Sequence, residues 1–135
     1  MDTTAIVAQL NAFDLNATRD SLLTWDGVDP NRVEQTLLWI DGLRRDLVKL
    51  VREIDEPEDI EMSLAIAYIE MKSRWIALNT KINYATFRRG ACDQSDALRG
   101  NAISLLLGHI EDMLKQNDIE QISTFLAQPI KQQAA

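Results

Sequence analysis

The sequence predicts an all-α protein, a bundle of four to five helices organised on a long antiparallel helical hairpin formed by about 30–54 and 57–89. Three observations carry that prediction. Glycine and proline are few, five and three in 135 residues, and the turn-rich, β-branched runs of an all-β chain are absent. Between Pro57 and Arg89 no glycine or proline interrupts the chain, which at ~1.5 Å per residue predicts a helix about 50 Å long. Within it Leu64, Tyr68, Met71, Trp75, Leu78, Ile82 and Ala85 alternate at spacings of four and three, an apolar heptad seam. The length fits one domain over residues 1–129, with residues 130–135 expected as a flexible tail.

Taken in order, Thr3 or Thr4 is placed to cap a first helix whose apolar positions are Ile6, Leu10, Phe13 and Ala17. Asp14 and Asn16 are expected to break it, with Asn16 or Thr18 capping a second segment through Leu22 and Trp25 that stops at Asp26-Gly27. Asp29-Pro30 is a strong start signal, an acidic cap followed by proline where no amide donor is lost. The helix it opens runs to about Ile54 with Val33, Leu37, Ile40, Leu47 and Val51 on its buried face. Around Leu37, Leu38, Trp39 and Ile40 the apolar residues circle that helix, so it meets two neighbours there or turns Trp39 towards a partner.

Asp55-Glu56-Pro57 is a short connection, which makes the helices on either side antiparallel neighbours. That hairpin would set Arg44, Arg45, Lys49 and Arg52 beside Glu58, Asp59 and Glu61, and bring Asp29, Glu34 and Asp41 towards Lys81, Arg88 and Arg89. Exposed pairs give only ~0–1 kcal/mol each, so they select an arrangement more than they hold it. Gly90 is expected to cap the long helix, and Asp93 or Ser95 to start another over about Asp96–Gln116. In that helix Gly100 and Gly108 each cost roughly 1 kcal/mol relative to alanine, a cost that close approach of another backbone would explain. A short last helix with Ile119, Ile122, Phe125 and Leu126 is expected to stop before Pro129.

The formal charge of −7 argues against nucleic acid as a ligand, since such affinity rests on cations neutralising phosphates. The N-terminus lacks a basic segment followed by an apolar run, and no apolar stretch is long enough for a bilayer, so neither a signal peptide nor membrane insertion is expected. One cysteine, Cys92, excludes an intrachain disulfide and fits a cytoplasmic protein. Catalytic residue types are scarce. His109, the only histidine, has neither HExxH nor ExxH spacing and is expected at the surface or an interface. Cys92 has no histidine near it in sequence to make it a nucleophile. The acidic run of Glu53, Glu56, Asp59 and Glu61 invites comparison with Mg²⁺-dependent all-α nucleotide phosphohydrolases, but Pro57 makes Glu53 and Glu56 straddle a turn. No catalytic, metal or cofactor residue is therefore assigned.

The residues set apart for binding are Leu38, Trp39 and Trp75 with the basic end Lys81, Arg88 and Arg89, which belongs to a stretch, Met71–Cys92, without a single acid. Asn79, Thr80 and Asn83 interrupt a secondary apolar face of the long helix and are expected in solvent. These features point to a non-enzymatic protein-interaction module, an adaptor, assembly chaperone or inhibitor of another protein, expected to form a homodimer because two antiparallel copies of the long helix set acid against base. A bundle holding a small apolar ligand near Trp39 or Trp75 is the further alternative.

Overall fold

A computed structural model describes residues 3–54 and 60–116, all of whose regular structure is helical. Five helices follow one another: α1 (Thr3–Asn11), α2 (Leu15–Leu23), α3 (Pro30–Arg52), α4 (Ile60–Arg89) and α5 (Gln94–Gln116). The proposed start at Pro57, the carboxylates of Glu56, Glu58 and Asp59, the short last helix and the tail lie outside the described residues.

Local chemistry sets most boundaries. Asp14 breaks the first helical run and caps α2 itself, its carboxylate accepting the Ala17 amide at 2.9 Å, so neither Asn16 nor Thr18 is the cap. Thr18 is instead buried, with its hydroxyl donating to the Asp14 carbonyl. Asp29 caps α3 by accepting the Asn31 amide, and Pro30 occupies the first helical position. Gly27 and Gly90 take positive φ, 71° and 81°, at the turn after α2 and at the end of α4, where a side chain would be strained. Asp93 opens α5 by accepting the Ser95 amide at 2.7 Å, so this helix begins two residues earlier than its apolar pattern implies.

Contacts along the helices fix their directions. Asn11 meets Arg44 and Arg19 meets Glu34, so α1 and α2 run in succession against α3 as one rod broken at Asp14. Asp29 and Arg32 meet Gln94 and Asp93, which places α3 and α5 side by side and parallel. Tyr68 donates to Glu111 at 2.8 Å and Lys81 pairs with Asp96 at 3.0 Å, so α4 runs against α5. The result is an up-down-up-down bundle of four rods.

The hairpin partner covers α4 less than its length suggests. Although α3 and α4 touch, each has its broader contact with α5, so α5 rather than α3 covers most of the long helix's seam. The foreseen charge pairing does not occur among the described residues: Asp41 receives Arg44 and Arg45 of its own helix, Glu34 receives Arg19, and Lys81 goes to Asp96. Surface charges choose among several near-equal neighbours, whereas apolar area at ~25 cal/mol per Å² decides the packing.

The main core joins Ile6, Ile40, Leu64, Ile103, Leu106 and Ile110 from α1, α3, α4 and α5. A smaller cluster, Leu22, Val33, Leu37 and Leu98, joins α2, α3 and α5 at the end where α3 begins, and α4 contributes nothing to it. No Cα–Cβ vector is crowded at Gly108, and at Gly100 the nearest neighbour is the side chain of Ile82, so neither glycine answers to a close backbone. None of the described helices is long and apolar enough to cross a membrane.

Candidate protein-interaction surface

The long helix divides at Met71. Before it, Ile60, Leu64, Ala65, Ala67, Tyr68 and Met71 are buried. After it, no residue of α4 is buried, and the seam positions Trp75, Leu78, Ile82 and Ala85 are only half-covered, because α5 supports this half from one side and the small cluster excludes it. Helix persists there through local terms. Arg74 bonds Glu70 one turn back, Arg88 lies 6.0 Å from the Tyr84 ring centroid, and Arg88 and Arg89 complement the negative end of the helix dipole beside the Gly90 cap.

A second heptad series runs along the outside of α4. Met62, Ile66, Ile69, Ser73, Ile76, Thr80, Asn83 and Phe87 repeat the four-three spacing two positions before the inner seam, about 200° around the helix. None of these eight carries a charge, and all eight are exposed. With Tyr84 alongside Phe87, the fractional exposures are 65% for Met62, 50% for Ile66, 46% for Ile69, 36% for Ile76, 64% for Tyr84 and 86% for Phe87. From ordinary side-chain areas these six residues together present roughly 700 Å², spread along the strip between the polar positions Ser73, Thr80 and Asn83.

The six residues set apart by sequence do not form one site. Leu38 projects from α3 into solvent, while Trp39 beside it is half-buried against the core with the Arg99 guanidinium 5.2 Å from its ring. Trp75 rests on the main core and, with Trp25, Asn79, Ile82, Gly100 and Asn101, lines an open cleft of about 240 Å³ between α4 and α5. Lys81 is held by Asp96, Arg88 lies over Tyr84, and Arg89 ends the helix exposed. The residues that sequence reading missed are Met62, Ile66, Ile69, Ile76, Tyr84 and Phe87. Their signal was the second four-three series, masked by Ser73, Thr80 and Asn83 within it. Asn79, Thr80 and Asn83 are exposed, as expected, and so is Ser73.

His109 is partly buried where α5 meets α1. Its Nε2 lies 2.6 Å from the Gln9 carbonyl oxygen, to which it donates, and its ring meets Phe13 edge-on at 5.5 Å, joining α5 to α1. Arg44 likewise bonds Asp41 and Asn11, fastening α3 to the end of α1. Of the acidic run, Glu53 and Glu61 are exposed at helix ends, and among the described residues no three His, Cys, Asp or Glu side chains are grouped to hold a metal. Among the described residues, a carboxyl held away from its ordinary range serves structure. The hydrogen bond from Arg19 holds Glu34 below the usual carboxylate range, and Glu34 in turn raises Arg19. No protein-family model matches the chain, and no curated protein or solved structure is found to be similar to it.

Proposed function

We propose that this chain is a non-enzymatic protein-interaction module that docks through the outer face of α4. The observation that carries the reading is the uncharged apolar strip from Met62 to Phe87, about 37 Å long and held on a rigid helix. Soluble monomers seldom leave such a strip in water without a partner to cover it. Adaptor, assembly-chaperone and inhibitor roles all use such a surface. The test is site-specific photocrosslinking in the cells that make the protein. A photoreactive residue at Ile69 or Phe87 is expected to give discrete protein adducts, and one at Asp20 or Lys115 is not. Equal adducts at all four positions, or none, refute the reading.

A second reading has one observation of its own. The cleft between Trp25 and Trp75 is walled by indole rings and by the amides of Asn79 and Asn101, without a charge, which suits a small uncharged ligand stacked on an aromatic face. Saturable quenching of tryptophan emission that is lost in Trp75→Leu but kept in Trp39→Leu favours it. Quenching unchanged in both variants rejects it.

A further inference from the structure

We infer that the occupant of the outer α4 face is a second copy of this chain, packed antiparallel about a twofold axis; this rests on the interaction reading above. The area is sufficient. The roughly 700 Å² exposed by the six side chains approaches the ~800 Å² per partner of a standard interface. The geometry leaves room, since the outer series lies about 200° from the seam that rests on α5, so two bundles would sit on opposite sides of the paired helices.

The helix dipoles and the opposite charge of the two halves of α4 favour one direction, and avoidance of like charges together with cover of the strip chooses the register. In α4 the acids Glu61 and Glu70 precede the bases Lys72, Arg74, Lys81, Arg88 and Arg89. A parallel pair places the two basic ends together, whereas an antiparallel pair opposes the helix dipoles and sets acid against base. The register that uses the whole strip places Met62 opposite Phe87 of the second copy, Ile66 opposite Asn83 and Ile69 opposite Thr80. On the flanks Glu70 faces Ala77 and Lys72 faces Asn79, so no like charges meet. Slipping one heptad towards the N-terminus brings Glu70 against Glu70 and Lys72 against Lys72. Slipping the other way leaves Met62 and Ile66 unpaired. Only one register therefore covers the strip without repulsion. An interface of this kind repeats a heptad in which half the positions are Ser, Thr, Asn or Met, so it is weak and the paired fraction rises over the micromolar range.

The experiment uses the full chain. Light scattering from about 5 to 200 µM is expected to show mass rising towards twice the chain's 15.3 kDa. Ile69→Glu, at an exposed position, is expected to remain monomeric with a thermal transition matching that of the wild type diluted to where it is monomeric. For direction, a spin label at Arg89→Cys in a Cys92→Ser background should report about 45 Å between copies, from the 1.5 Å rise along two antiparallel helices. A dimer with labels under about 20 Å apart overturns the antiparallel arrangement. A wild-type monomer at 200 µM overturns self-pairing, and binding of the apolar dye bis-ANS then separates the two readings. Dye binding lost in Ile69→Glu retains the interaction surface, while absence of dye binding removes both.

Discussion

The division of α4 at Met71 predicts unequal consequences for one kind of substitution made in its two halves. Leu64 is buried within the main core, and Leu78 occupies the same inner seam two heptads later, where it is only partly buried against that core. Truncating Leu64 to alanine removes a fully buried side chain and leaves a cavity that the surrounding core fills only partly, a loss of about 3 kcal/mol. Truncating Leu78 removes a half-exposed side chain, and water enters freely where it stood, so the loss is about 1 kcal/mol. For a chain of this size a urea slope of about 1.5–2 kcal/mol per molar is reasonable, which turns those losses into midpoint shifts of about 1.5–2 M and about 0.5 M. Urea melts followed by circular dichroism read both shifts directly, and equal slopes show that the folded and unfolded states stay comparable. Equal shifts for the two variants, or a larger one for Leu78→Ala, would mean that the second half is packed on two sides.

Other consequences are simpler to measure. Gly108→Ala, in the interior of α5 with open space for a methyl group, should raise stability by about 1 kcal/mol and the thermal midpoint by about 4 °C, whereas Gly100→Ala should gain less because its new Cβ would meet the Ile82 Cδ1 at 3.2 Å. Scanning calorimetry checks the pair, and a larger gain at position 100 contradicts the geometry. Asp14→Ala should cost about 1 kcal/mol through loss of the α2 cap and speed amide exchange first in α2, and unchanged exchange there would show that the cap contributes nothing. The Arg19–Glu34 pair should make a small part of stability depend on acid. Because the folded Glu34 carboxyl is held below its unfolded value, its contribution is fully present above the ordinary glutamate range and disappears as pH falls through the lowered value. The difference in thermal midpoint between wild type and Glu34→Gln should therefore shrink as pH falls through and below the ordinary glutamate range, and a difference that grows would reverse the assignment.

What the sequence discloses here is mostly local. The break at Asp14, the Asp29-Pro30 start and the glycine stops at Gly27 and Gly90 each depend on a backbone need that one side chain or its absence meets, and such needs can be read without knowing the neighbours. Which rods press together is a different matter. The short connection before α4 announces an adjacent α3 correctly, but it carries no information about α5, which approaches both from farther along the chain and takes the larger share of their apolar faces. Exposed charges mislead for a related reason, since Glu34 and Asp41 find equally good partners closer at hand than Lys81 or Arg88. The outer strip was hidden by its own composition. A heptad search settles on the richer series through Leu64 and Trp75, and the weaker one through Met62 and Phe87 emerges only when burial shows that its apolar members are in water.

The side-by-side placement of α3 and α5 also bears on how the protein is made. Their ties join residues 61 to 65 positions apart, Arg32 to Asp93 and Asp29 to Gln94, so nothing upstream of α5 can complete the core. A ribosome adding about 5–20 residues per second needs roughly 3–13 s to travel from the last residue of α3 to that of α5. Throughout that interval Ile40, Leu47 and Val51 wait without their final cover, and a nascent chain in this condition is the stage at which chaperones or aggregation would act on it.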